Sequence, residues 1–153
     1  MTPWRPRAHI RVVAIGLHWR EGRLLAAEVR DDAGRLKGVR PLGGGVEFGE
    51  SWRDALAREF REELGLDVHV GPCRAVLENI FSHEGATGHE VVFVADVVFP
   101  PGVLDEAESV DFEEDGGQPC RARWYALETL DGDGPALFPS GLKRMLLARA
   151  VAD

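Results

Sequence analysis

The chain has 153 residues, 44% of them hydrophobic and 29% charged, with 26 Asp plus Glu against 18 Lys plus Arg and a formal net charge of −8. A single domain of this length buries about 68–70% of the surface its unfolded form exposes, so it needs no metal or disulfide merely to fold. The negative excess argues against a nucleic-acid polymer or an anionic membrane surface as partner, since both require clustered positive charge; it leaves room for a small phosphorylated ligand bridged by a cation.

The longest apolar runs, such as Val12–Ile15 and Val91–Ala95, fall far short of the roughly 20 residues a spanning helix needs. The opening MTPWRPRAHIR has no apolar segment of the secretory type, so a cytoplasmic location is the default expectation. Cys73 and Cys120 stand in unrelated contexts with no CxxC spacing, which predicts two reduced, structural thiols.

In chain order, residues 9–17 (HIRVVAIGL) read as a strand, Arg20-Glu21-Gly22 as a turn and residues 23–29 (RLLAAEV) as a returning strand. Residues 31–34 mark a loop, and the Gly-rich PLGGGVEFGES leads into a helix. Ser51 is placed as N-cap with Asp54 three residues on, a weaker form of the capping box. Gly65 stands where a left-handed C-cap belongs. Between them Trp52, Leu56, Phe60 and Leu64 form one apolar stripe. Residues 66–70 and 73–81 read as strand, 84–88 as a turn, and 90–99 as a strand in a hairpin with the one before it. Residues 100–119 form an acidic loop bounded by Pro and Gly, 121–127 a last strand, and about 140–151 a C-terminal helix with Leu142, Met145, Leu146 and Arg149 at helical spacing. This order predicts an α/β fold of one domain spanning residues 1–153, with one mixed sheet between helices on both faces.

The first helix carries the chemistry. At about 100° per residue, with Glu59 at zero, Glu63 falls near 40° and Leu56 near 60°, so Glu59 and Glu63 border the apolar stripe, while Glu62 lies about 60° to the other side. Carboxylates four residues apart repel, and desolvation at the edge of a buried face raises the cost. Arg53, Arg58 and Arg61 project away from the Glu59/Glu63 edge; Arg58 can pair with Glu62. A hard divalent cation with oxygen ligands would neutralise Glu59 and Glu63, and Mg²⁺ is commonly held by one or two carboxylates plus substrate phosphates. Gly43-Gly44-Gly45 lets backbone approach a ligand closely, and a carbonyl there could join the coordination. Taken separately, the two features read equally well as a solvated acidic helix behind a flexible loop.

Together they form one pattern. Gly44, five residues, Glu50, seven residues, Arg58-Glu59-Phe60-Arg61-Glu62-Glu63, one residue, then Gly65-Leu66 resembles the Nudix box at every fixed position. The departure is Phe60, where the family usually carries an aliphatic residue; its projection toward the core makes that a matter of packing. The box covers residues 44–66, and the flanking strands and C-terminal helix are also similar to the family.

The resemblance implies a Nudix-type α/β/α sandwich and Mg²⁺-dependent (or Mn²⁺-dependent) hydrolysis of a phosphoanhydride in a nucleoside diphosphate linked to another moiety. It casts Glu59, Glu62 and Glu63 as metal carboxylates, the Gly43 carbonyl as a backbone ligand, and Glu50 with Arg58 as an orienting pair. The general base lies within the box in some relatives and on a later loop in others; here Asp105, Glu106, Glu108, Asp111, Glu113, Glu114 and Asp115 are available, with Glu113 and Glu114 the candidates if that loop is more than a solvated, mobile segment. Marks of the ADP-ribose class near Phe81, and of the diadenosine class at Ser82, His83 and Glu84, are absent; Phe138-Pro139-Ser140-Gly141 lies too close to the C-terminus for an NADH-type signature. The substrate is therefore a small nucleotide-type phosphate of open class, and a homodimer is one assembly to test. The alternatives are a non-catalytic Nudix nucleotide sensor and, below it, a Nudix-fold isoprenoid diphosphate isomerase.

Outside the box, Phe81 is a candidate for stacking on a base or a rim aromatic, and Glu90 a candidate for facing the site. His83 and His89 read as surface residues, and Trp52 and Trp124 as core. Of the 26 acids and 18 bases, residues 44–66 hold six and three and residues 105–115 seven and none, leaving 13 and 15 elsewhere. The charge excess is two local concentrations on a near-neutral scaffold.

Overall fold

The structure is a computed structural model that describes residues 3–114 and 116–152, with side chains through residue 148. Asp115 and the Arg149 side chain, both named above, lie outside the described residues. The elements are β1 (Ile10–Leu17), β2 (Trp19–Arg20), β3 (Arg23–Arg30), β4 (Leu36–Arg40), β5 (Gly43–Gly45), α1 (Trp52–Leu64), β6 (His69–His83), β7 (Ala86–Val98), β8 (Ser109–Glu113), β9 (Pro119–Ala126) and α2 (Leu142–Ala152), with a 3₁₀ turn over Leu127–Thr129.

The α/β class holds, and the strands divide into two sheets instead of one. The first runs β5-β1-β7-β6, with β1 and β7 parallel and the other pairs antiparallel. The second runs β2-β3-β9-β8, with β4 added on β3, and is antiparallel. Alternation along each strand sends side chains to two separate cores. Ala14, Leu25, Ala95, Val97, Ala122 and Trp124 pack with Leu56 and Phe60 of α1. Val13, Ile15, Leu17, Leu24, Ala26, Val92 and Val94 pack with Leu142 and Leu146 of α2. The two helices thus cover opposite faces of the β layer.

Four local readings change. The break at 71–72 becomes one continuous β6 whose pairing with β7 shifts around Val70, Cys73 and Ala75, so bulges absorb Pro72 without ending the strand. The hairpin turns on Glu84 and Gly85 alone, with φ of 51° and 81°; two positive-φ residues suit the twist of the flanking strands. The acidic loop contains β8, an antiparallel partner of β9. The Gly-rich segment is itself an edge strand, β5.

Candidate metal and nucleotide site

The site is assembled from the end of β5 and one face of α1. The Ser51 hydroxyl accepts from Asp54 N–H at 3.1 Å, and Gly65 closes the helix with φ 68°, both as the sequence predicts. Phe60 and Leu56 anchor the helix in the core. That anchoring carries Glu59 inward, where it is only 2% exposed.

Glycine at 43–45 is a steric requirement. A Cβ at Gly44 would stand 2.5 and 2.7 Å from the two carboxylate oxygens of Glu59. A Cβ at Gly43 would collide with the Ala14 carbonyl. The ladder also sets where the carbonyls point. Gly16 donates to Leu42 O and Val46 to Val12 O, both at 2.8 Å. Bonded and non-bonded pairs alternate in an antiparallel ladder, so Gly43 and Gly45 turn their backbone polar groups away from β1. Arg58 takes the Gly45 carbonyl at 3.0 Å; the Gly43 carbonyl projects from the same edge.

Arg58 ties loop to helix. Its Nε and Nη2 donate to the two oxygens of Glu50 at 2.8 and 3.0 Å, and its Nη1 donates to Glu59 Oε1 at 3.0 Å and Glu62 Oε2 at 3.3 Å. This corrects the helical-wheel expectation: the guanidinium bends back to reach Glu59 as well as Glu62. The fork geometry of Arg makes such a hub possible. The Arg58 hydrogen bond, followed by a backbone bond from Glu47, holds the Glu50 carboxyl below its ordinary range. Glu50, then Glu59, raises the already high affinity of Arg58 for its proton.

Glu59, Glu63 and residues 43–45 line one cleft of about 1200 Å³. Glu62 lies outside it, its side chain half exposed and turned to Arg58. Among the described residues no three acidic, His or Cys side chains converge tightly enough to hold a cation as they stand. The donor set nevertheless suits a hard cation: carboxylates, an outward carbonyl and a cradle at Gly44 that any Cβ would fill. A cation here would compete with Arg58 for Glu59 and Glu62.

Of the two candidate bases, Glu114 lines the cleft and Glu113 does not. Burial pushes the thiol of Cys120 on β9 up to about 12, and the negative charges of Glu114 and Glu63 add to the effect. Cys73 is exposed, and both cysteines are free.

The remaining candidates also resolve. Phe81 lines the cleft, packed over Gly88 so tightly that a Cβ there would meet its ring carbons at 2.6 and 2.7 Å. Glu90 is buried, 4% exposed, and lines the same cleft. His83 is buried, against the surface reading, beside Trp4 and Lys37. His89 is partly exposed and meets Glu78 at 3.2 Å. Trp124 is core, whereas Trp52 is half-buried and stacks on Phe93. Sequence reasoning missed Asn79, which is buried opposite Glu90.

A family model for the NUDIX domain matches residues 7–146. The chain belongs to the NUDIX domain family. Among curated proteins it is similar to nucleoside triphosphatase NudI of Escherichia fergusonii, 46% identical over 56 residues, which is 36% of this chain and 40% of that protein. The counterpart in Shigella sonnei is 45% identical over the same length. The matched stretch thus spans about two-fifths of these relatives. Among solved structures, a NUDIX hydrolase from Nitrosomonas europaea matches with a TM-score of 0.60 at 18% identity, over 97% of this chain and 90% of that one. The MutT protein from Methanosarcina mazei Go1 matches with a TM-score of 0.59 at 20% identity, over 94% of each chain. These structures share the fold. No helix among the described residues is long and apolar enough to cross a membrane.

Proposed function

We propose that the protein is a divalent-cation-dependent hydrolase that cleaves a phosphoanhydride bond in a small nucleotide, with nucleoside triphosphates the first substrates to test. One observation carries this reading: Glu59 and Glu63 enter the same cleft as a triglycine edge strand whose carbonyl at Gly43 points outward. The names of the curated relatives favour triphosphates over other diphosphates.

In this reading Gly43, Glu59, Glu62 and Glu63 hold Mg²⁺, or Mn²⁺ in its place. The cation would neutralise phosphate oxygens and acidify a bound water. Positioning and charge stabilisation do most of the work in reactions at phosphorus. Arg58 and Glu50 keep the glycine strand and the helix in register. Glu114 is taken as the base on the later segment, since it lines the cleft and Glu113 does not. A cytoplasmic enzyme working alone or as a homodimer fits this role.

The test is ³¹P NMR of products from a panel of nucleoside triphosphates, sugar nucleotides and dinucleotides incubated with purified protein and Mg²⁺. Turnover of at least one member, with the cleaved bond identified, supports the reading. Nucleotide-dependent thermal stabilisation without turnover across the panel would favour a sensor instead.

A further inference from the structure

The cleft has a second polar centre, away from the box. Asn79 on β6 and Glu90 on β7 are cross-strand neighbours, fixed in register by the two-residue turn at Glu84-Gly85. Both are buried, at 9% and 4% exposure, and both line the cleft. A buried carboxylate is costly unless its acceptor positions are filled. Among the described residues Glu90 receives only the Asn79 amide at 3.4 Å, a long bond, and the Arg11 guanidinium at 3.8 Å, an ion pair beyond hydrogen-bonding range. An ionised carboxylate offers about four lone-pair sites, so most of the Glu90 capacity remains unspent.

The order of groups is informative. Asn79 Nδ2 is a donor beside the two acceptor oxygens of Glu90. Donor, acceptor, acceptor is the order on the pairing edge of cytosine. Its complement is acceptor, donor, donor, which is the O6, N1–H, N2–H₂ edge of guanine. The other bases do not match this order. Adenine offers one donor beside an acceptor nitrogen. Cytosine sets N3 against the carboxylate. Uracil flanks its single N–H with carbonyls.

Two neighbours complete a nucleoside site. Phe81 lies two residues along β6 from Asn79, on the same face, and rests flat on Gly88, leaving its outer ring face toward the cleft. Stacking of a base on such an aromatic is worth about 1–3 kcal/mol. Arg11, paired in register with Glu90, also packs against Gly45, where a Cβ would meet its Nη2 at 2.8 Å. The polar pair is thereby linked through one side chain to the strand proposed to sit by the phosphates.

We infer that Asn79 and Glu90 form a base-selective pocket that recognises the guanine edge of a nucleotide, with Phe81 as its stacking platform. The inference names the substrate class for the function proposed above and rests on that reading for the phosphate end only.

Direct binding separates the two. Titration calorimetry with GDP, IDP, ADP and CDP in Mg²⁺ should rank GDP first, at least about tenfold tighter than ADP or CDP, with IDP, which lacks the N2 amine, in between. Glu90→Gln should remove the GDP preference, so that GDP binds no tighter than ADP. A GDP preference without hydrolysis of any member of the nucleotide panel would keep the pocket and overturn the hydrolase reading. Equal binding of all four bases, a different order, or no binding of any would overturn the pocket. If Glu90→Gln does not fold, as judged by circular dichroism, the wild-type ranking decides alone.

Discussion

The Glu59 carboxylate occupies the space in which any side chain at Gly44 would stand, at 2.5 and 2.7 Å from an added Cβ to its two oxygens. This contact explains a glycine by sterics and joins the edge strand to the helix at one point. Gly44→Ala should displace Glu59, cost about 1–3 kcal/mol as overpacking does, and abolish most turnover. Gly132→Ala, where a Cβ meets nothing within 4 Å, is the matched control, expected within about 0.5 kcal/mol of wild type. Urea unfolding of both variants checks the pair.

Arg58 serves four residues: Gly45 on β5, Glu50 in the loop that follows, and Glu59 and Glu62 on α1. Removing it takes the guanidinium from the buried Glu59, and breaking such a pair costs about 3 kcal/mol. Arg58→Ala should therefore be strongly destabilised. Arg58→Lys keeps the charge but loses the fork on Glu50, and should cost about 1 kcal/mol. Equal stability of the lysine variant and wild type in urea would show that the bidentate geometry is idle.

Phe60 and Gly16 share one volume: a Cβ on Gly16 would stand 2.7 Å from Phe60 Cε2. The ring also meets Phe99 edge-on, with centroids 5.9 Å apart. Phe60→Ala should cost about 3–5 kcal/mol. Gly16→Ala should be less harmful in a Phe60→Leu background than alone, with a coupling of about 1 kcal/mol in a double-mutant cycle. Strict additivity would contradict the shared volume.

Acid should destabilise the protein in two windows. Burial lowers His18 from 6.5 to about 4, so the folded state prefers a neutral ring that stacks on Phe99 and accepts from Trp124 Nε1–H at 3.1 Å. The unfolded state binds the proton more readily. His18 therefore contributes fully above pH 6.5, and its contribution is lost as pH falls toward 4. Discounted for partial exposure, the loss is on the order of 2 kcal/mol. Glu50, lowered from 4.5 chiefly by Arg58, contributes above 4.5, and that contribution is lost below it. Stability measured in urea from pH 7 to 4 should fall in wild type and flatten in His18→Gln.

What the sequence made legible follows from where the information sits. The helix, its caps and the spacing of Glu59, Glu62 and Glu63 are local, and they emerge as predicted. Gly43–Gly45 reads as a loop because glycine is depleted in strands; its strand role depends on the close approach of Glu59 and Ala14, which is long-range. The alternation Ser109-Val110-Asp111-Phe112-Glu113 is a strand signal masked by the density of acid around it. Asn79 escaped notice for a register reason. Placing the hairpin turn at 84–88 leaves Asn79 with no determinate partner, whereas the two-residue turn pairs it with Glu90. Two sheets in place of one reflects pairings such as β3 with β9, whose partners lie far apart in the chain.

In the proposed reaction Glu59 and Glu63 bring a divalent cation to a phosphoanhydride in the cleft. It is tested most directly by single-turnover hydrolysis of a cleaved nucleotide by wild type and by Glu63→Gln, each with Mg²⁺ and with EDTA, alongside their melting curves. Turnover is expected from wild type only with Mg²⁺, with a drop of at least about a hundredfold in Glu63→Gln and a cooperative melting transition in both proteins. Full activity in Glu63→Gln, or undiminished wild-type turnover in EDTA, would contradict it.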